Sequence, residues 1–144
     1  MLKRTILAVI AVFAVWQALD FVIHGVLLAK SYEATASLWR PMNEMKMGLM
    51  LGVGLVAAVT FVWLYALLVR DKSVCNGVKY GLLFGVGTGF GMGFGMYCVM
   101  PVPVSMAWVW FLGSVVETAI GGLLVGWIVK APAAAPVPAE PAQK

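Results

Sequence analysis

Charge is what this sequence has least of. Charged residues make up 11% of its 144 residues, where a soluble domain carries about 25%. With 62% of residues hydrophobic and a mean hydropathy of +0.96, so short a chain cannot hide its apolar side chains in its own interior. A bilayer is the natural solvent. Histidine is nearly absent too: His24 is the sole imidazole, which excludes a two-histidine metal motif. Cysteine is limited to Cys75 and Cys98. They fall at opposite ends of one apolar run, ~34 Å apart at 1.5 Å per residue, so no disulfide joins them. No thiol pair, zinc spacing, Gly-x-Ser-x-Gly elbow or phosphate-binding loop occurs, and the sequence predicts no enzyme. No basic stripe with interleaved aromatics exists, so the formal net charge of +4 implies membrane orientation and headgroup contact, not nucleic acid.

What is there is four long apolar runs. They predict an all-α, integral membrane four-helix bundle with spans at about 5–29, 47–69, 79–100 and 104–129. Lys3 and Arg4 before the first run resemble a signal peptide, and Ala34-Thr35-Ala36 would suit cleavage. The run is too long and that site too far beyond it, so an uncleaved span is expected. Residues 30–46 form the one sizeable polar connection: Ser31 to Trp39 could make a short interfacial helix, stopped by Pro41. Asn76-Gly77 signals a turn within the basic stretch Arg70 to Lys79. The tail 131–144 is Pro/Ala-rich and expected to be disordered or extended.

Four spans put both ends on one side. With the termini inside, that side holds Lys3, Arg4, Arg70, Lys72, Lys79, Lys130 and Lys144, against Lys30, Arg40 and Lys46 outside. This bias predicts a bacterial-type inner membrane protein with both termini cytoplasmic. Tyr32, Trp39, Tyr97, Trp108 and Trp110 would form the outer aromatic belt, and Tyr65, Tyr80 and Trp127 the inner one. No convincing internal repeat relates 1–70 to 71–130, so an inverted-repeat transporter has no support here.

The third span carries the most regular pattern. Gly81, Gly85, Gly89 and Gly93 recur every four residues, and Gly87, Gly91 and Gly95 repeat this with an offset of two. A shift of two is about 200° around a helix, so the two rows would form grooves on nearly opposite sides. Small residues let helices approach closely in lipid. The expectation is a central helix clasped from two directions, each groove facing a different neighbour.

Polar residues inside spans are the candidates for chemistry, because charge in lipid needs partners. Gln17, Asp20 and His24 share one face of the first span. Asp20 and His24 lie ~4.5 and ~10 Å further out than Gln17. Ser114, Glu117 and Thr118 sit at matching depth in the fourth span, and if spans one and four are neighbours all six form one buried polar cluster. Two carboxylates and an imidazole cannot all be ionised cheaply there, so a proton, a cation or a nearby Arg40 or Lys46 must balance them. Eight methionines besides Met1 crowd the outer half: Met42, Met45, Met47, Met50, Met92, Met96, Met100 and Met106. Met92, Met96 and Met100 with Cys98 and His24 form a candidate soft-ion set, Cu(I) being the metal that suits such ligands. Cys98 points some 160–200° away from Met96 and Met100 on an ideal helix.

The span pattern over about residues 5–129, the aromatic-containing loop from His24-Gly25 through Trp39, and Gly81-Leu82-Leu83-Phe84-Gly85 opening the third span resemble the small four-span bacterial membrane proteins grouped as the DUF1761-like family. That family has no established activity, so the resemblance implies the fold alone. The sequence therefore reads first as a structural or accessory subunit. Its Gly-rich third helix would pack within a homo-oligomer or a larger membrane complex. The alternative reading is a proton or soft-metal-ion carrier or sensor built on Asp20, His24 and Glu117.

Overall fold

The computed structural model describes residues 2–130, and the predicted tail lies outside them. Every regular element among them is helical. Helix α1 (Leu2–Asp20) runs without a break into a π-helical turn, Phe21–Leu27. A short α2 (Ala29–Ala34) and two 3₁₀ turns (Ala36–Leu38 and Met42–Glu44) make the long connection, divided at Pro41. Then follow α3 (Met47–Leu68), α4 (Val74–Val99) and α5 (Val104–Ile128). Four segments, Leu2–Leu27, α3, α4 and α5, are long and apolar enough to cross a membrane. In lipid every backbone group must be satisfied internally, and an uninterrupted helix is how an apolar run does so. The chain is thus a multi-pass, all-helical protein.

The expected turn at Asn76-Gly77 is not one. Helix α4 starts at Val74, capped by the Ser73 side chain, which accepts from Asn76 N at 3.2 Å. Gly77 is buried in the first turn and adds a fifth member to the row Gly81, Gly85, Gly89 and Gly93. That row packs wholly against α5. A Cβ on Gly93 would lie 2.6 Å from Ala107 O, and one on Gly89 would lie 2.8 Å from Ser114 Cβ. Added methyl groups at Gly77, Gly81 and Gly85 would strike Gly122 and Thr118. Helix α5 reciprocates with Gly122 and Gly126, so the two backbones lie almost in contact.

The other row corrects the expectation. Gly87, Gly91 and Gly95 have nothing within 4 Å of an added Cβ and are exposed. Only one groove of α4 is occupied among the described residues. The helix clasped from several sides is α5. Its Gly122 and Gly126 meet α4, its Gly113 meets Ile23, and its Gly121 meets Trp16 and Phe61. The reason is connectivity: α4 and α5 are joined by only a few residues around Pro101 and Pro103, so they pair over their whole length.

Two apolar clusters hold the bundle. At the end bearing the termini, Ala8 and Val12 of α1, Ala58, Phe61, Val62 and Tyr65 of α3, and Val125 and Val129 are fully buried. At the loop end, Ile23, Leu28, Val102, Met106 and Trp110 are buried, with Tyr32, Trp39, Met96 and Met100 packed on them. Helix α3 joins only the first cluster; from Met47 to Ala57 it is exposed apart from half-buried Gly54. The loop-end half of the bundle therefore lacks a fourth wall.

The aromatic belts need the same correction. Tyr65 is fully buried, with its hydroxyl donating to Ser73 O. Tyr80 donates to Phe61 O at 2.7 Å. Trp110 is 5% exposed. A ring with a polar tip fits an interior that offers one acceptor as readily as it fits the headgroup layer. Tyr97, Trp108 and Trp127 stay exposed, as expected of a belt.

Candidate functional site: a carboxyl pair beneath an aromatic cage

Between the two apolar clusters, α1 and α5 bring their polar residues to one level. Trp16 of α1 fixes the register, its indole Nε1 donating to Glu117 O at 2.7 Å. One turn further along, Asp20, His24, Ser114 and Glu117 line a cavity of about 70 Å³ together with Ile23, Met92 and Trp110. The Asp20 carboxyl comes within hydrogen-bonding reach of that of Glu117. Glu117 Oε1 is buried with no hydrogen-bond partner among the described residues. These two facts agree: a carboxyl whose polar neighbour is another carboxyl has no donor until one of the pair carries a proton. Asp20 is less enclosed, its side chain 46% exposed.

His24 links this pair to the loop. Its Nε2 lies 3.7 Å from Asp20 Oδ1. Its Nδ1 lies 2.7 Å from the Tyr32 hydroxyl, which also accepts from Trp110 Nε1 at 3.0 Å. With Trp110 donating, the hydroxyl's own hydrogen can point to Nδ1. The neutral imidazole then carries its proton on Nε2, toward Asp20. The π-helical turn widens the helix here, and such turns recur at functional sites. Tyr32 lies outside the membrane-spanning segments, and burial holds its hydroxyl above the ordinary tyrosine range, so it stays protonated and able to donate.

A second cavity of about 110 Å³ adjoins the first and shares His24, Met92 and Trp110 with it; Tyr32, Trp39 and Met96 complete its lining. Its rings stand at right angles. Trp39 lies 5.2 Å from Tyr32 at 82° and 6.2 Å from Trp110 at 86°, measured between ring centroids. The indole of Trp39 is held by donating to Thr35 Oγ1 at 2.9 Å.

The six expected cluster residues divide. Asp20, His24, Ser114 and Glu117 come together. Gln17 sits at the margin, its Nε2 3.5 Å from Asp20 Oδ2, and does not line the cavity. Thr118 does not belong: it is 6% exposed, faces Gly85 of α4, and donates to Ser114 O at 2.7 Å. One residue beyond Glu117 is 100° further round the helix, enough to turn it from α1 to α4. The soft-ion set divides as well. Met92 and Met96 line cavities with His24, whereas Cys98 is exposed and Met100 packs into the loop-end core.

Sequence reasoning missed Trp16, Tyr32, Trp39 and Trp110 as members of the site. Trp16 and Glu117 are 101 residues apart, and Tyr32 and Trp110 are 78 apart. No spacing signals such pairs, and the assignment of Tyr32, Trp39 and Trp110 to a lipid-facing belt concealed them. No family model, curated protein or solved structure matches this chain.

Proposed function

We propose that this chain is a proton-binding carrier or sensor of a bacterial-type inner membrane, with both termini cytoplasmic. It acts by holding one proton between Asp20 and Glu117 and exchanging it with the loop side through His24 and Tyr32. The observation that carries this reading is the close approach of the two carboxyl groups beside a small cavity. Nearby carboxylates disfavour joint ionisation, and a low dielectric sharpens that preference. One proton shared across the pair leaves a single negative charge. His24 stands between the pair and Tyr32, whose hydroxyl belongs to the aromatic cavity, and supplies a relay in one imidazole. The reading is of a binding protein, not an enzyme. The soft-ion set contributes less to it, since only His24, Met92 and Met96 converge.

The test is proton stoichiometry. Purified protein in a weakly buffered detergent solution is titrated with acid and base against a pH indicator. Wild type should exchange one more proton than Glu117→Gln, and Asp20→Asn should lose the same proton, with all three proteins folded to the same extent. If the variants exchange as many protons as wild type, the pair is only a structural clamp.

A second reading, packing against another chain, is favoured by the exposed row Gly87, Gly91 and Gly95. It is compatible with the first: a homo-oligomer or larger membrane complex would seat there while the proton site works between α1 and α5, none of its lining residues belonging to that glycine row.

A further inference from the structure

We propose that the two adjoining cavities form one site for a small alkylammonium cation. Its charge would lie toward Asp20 and Glu117 and its alkyl groups against Tyr32, Trp39 and Trp110. The inference rests on the reading of Asp20 and Glu117 as a one-proton pair and names what exchanges for that proton.

Size comes first. The aromatic cavity is about 110 Å³ and the carboxyl cavity about 70 Å³. Drug-sized ligands occupy pockets of about 300–1,000 Å³, so the occupant is small. The lining decides its chemistry. Trp39 stands nearly perpendicular to both Tyr32 and Trp110, so three aromatic walls meet here. Aromatic faces attract cations, tryptophan most strongly, and aromatic cages recognise alkylated ammonium groups. The thioethers of Met92 and Met96 complete an apolar, polarisable lining that an alkyl group fits. Acidic oxygens lie at one end only, at Asp20 and Glu117. A hard inorganic cation is held by oxygen ligands, and the larger cavity offers it rings and thioethers with the single hydroxyl of Tyr32. Cu(I) is suited by a thiolate beside the thioethers and imidazole, yet Cys98 is absent from both cavities. A neutral hydrocarbon would leave the carboxyl end unused.

Charge balance fixes the exchange. The ionisable groups at the site are Asp20 and His24 from the first span, Glu117 from α5 and Tyr32 from α2. Helix α4 contributes only Met92 and Met96, and α3 contributes no lining residue. Replacing the shared proton by one monovalent cation leaves the net charge of the site unchanged. One proton therefore leaves for each cation bound, and the cation binds more tightly as pH rises.

The experiment is calorimetric titration of the purified full chain with tetramethylammonium chloride, in weak buffer with a pH indicator. Potassium chloride and tert-butanol, a neutral compound of similar shape, serve as controls. The expected result is saturable tetramethylammonium binding with release of about one proton per chain, and no comparable binding of either control. Trp39→Leu should lower affinity on the order of tenfold while proton release at saturation persists. If Trp39→Leu does not fold, the contrast between tetramethylammonium and its neutral counterpart on wild type decides the question alone. No saturable tetramethylammonium binding overturns the proposal, as does equal binding of tert-butanol or potassium, or Met96-dependent binding of Cu(I) in its place. If the proton that depends on Asp20 and Glu117 still titrates without any cation while tetramethylammonium fails to bind, this inference falls and the proton-site reading stands. If that proton is missing too, both fall.

Discussion

Asp20 and Glu117 show what one residue of register is worth. Counting depth along two apolar runs was enough to expect the two carboxyl groups at one level, and the structure places them within reach of one another. The same counting misassigned Thr118, because depth says nothing about azimuth and 100° separates it from Glu117. Nor could it reveal the partners of His24. Tyr32 comes from the short helix α2, which follows the π-helical turn, and its hydroxyl accepts from Trp110 Nε1, 78 residues further along the sequence. Tyr32→Phe removes the acceptor of Trp110 Nε1 and the partner of His24 Nδ1 together. We expect a loss of about 1 kcal/mol of stability for each hydrogen bond, read as a lower midpoint of thermal unfolding in detergent. Proton exchange at the carboxyl pair should also slow, with its stoichiometry unchanged. Equal exchange rates in the variant and wild type would remove Tyr32 from the relay.

Among the helices, the glycine pattern was legible and its meaning was not. A period of four residues in Gly81, Gly85, Gly89 and Gly93 announces close packing, and α5 packs there. The identical period in Gly87, Gly91 and Gly95 meets no neighbour among the described residues. Periodicity describes a face; only the number of available neighbours decides whether that face is filled. Gly77 belongs to the packed row but reads in the sequence as part of a turn, because the Ser73 cap that starts α4 lies just before it. The two rows make opposite predictions. Gly85→Leu places a side chain where Thr118 and Val115 stand and should prevent recovery of folded protein. Gly91→Leu meets open space, so the folded yield should match wild type, and any oligomer seen by cross-linking should weaken. Intact oligomer in Gly91→Leu would count against packing through that row, and normal yield from Gly85→Leu would count against the helix pairing itself.

The whole molecule is closed at one end and open at the other. Helix α3 packs only through its C-terminal half, so the terminal end has four walls and the loop end has three. The polar site lies at the boundary between these regions, with the Asp20 side chain half-exposed. The proposed proton site would load through this asymmetry, and the proposed orientation, with both termini cytoplasmic, puts the open face outside. The two cysteines report on that orientation directly, since Cys75 and Cys98 are exposed near opposite ends of α4. In intact bacterial cells a membrane-impermeant maleimide should label Cys98 in a Cys75→Ser protein, and should label Cys75 in a Cys98→Ser protein only after the membrane is opened. The reverse pattern would place the termini outside.

The central claim is a single proton held between two carboxyl groups, and infrared difference spectroscopy on membranes containing the protein measures it most directly. At neutral pH wild type should show one carboxylic acid C=O stretching band that shifts in D₂O and vanishes in both Asp20→Asn and Glu117→Gln. Absence of that band from wild type, or its survival in either variant, would contradict the account.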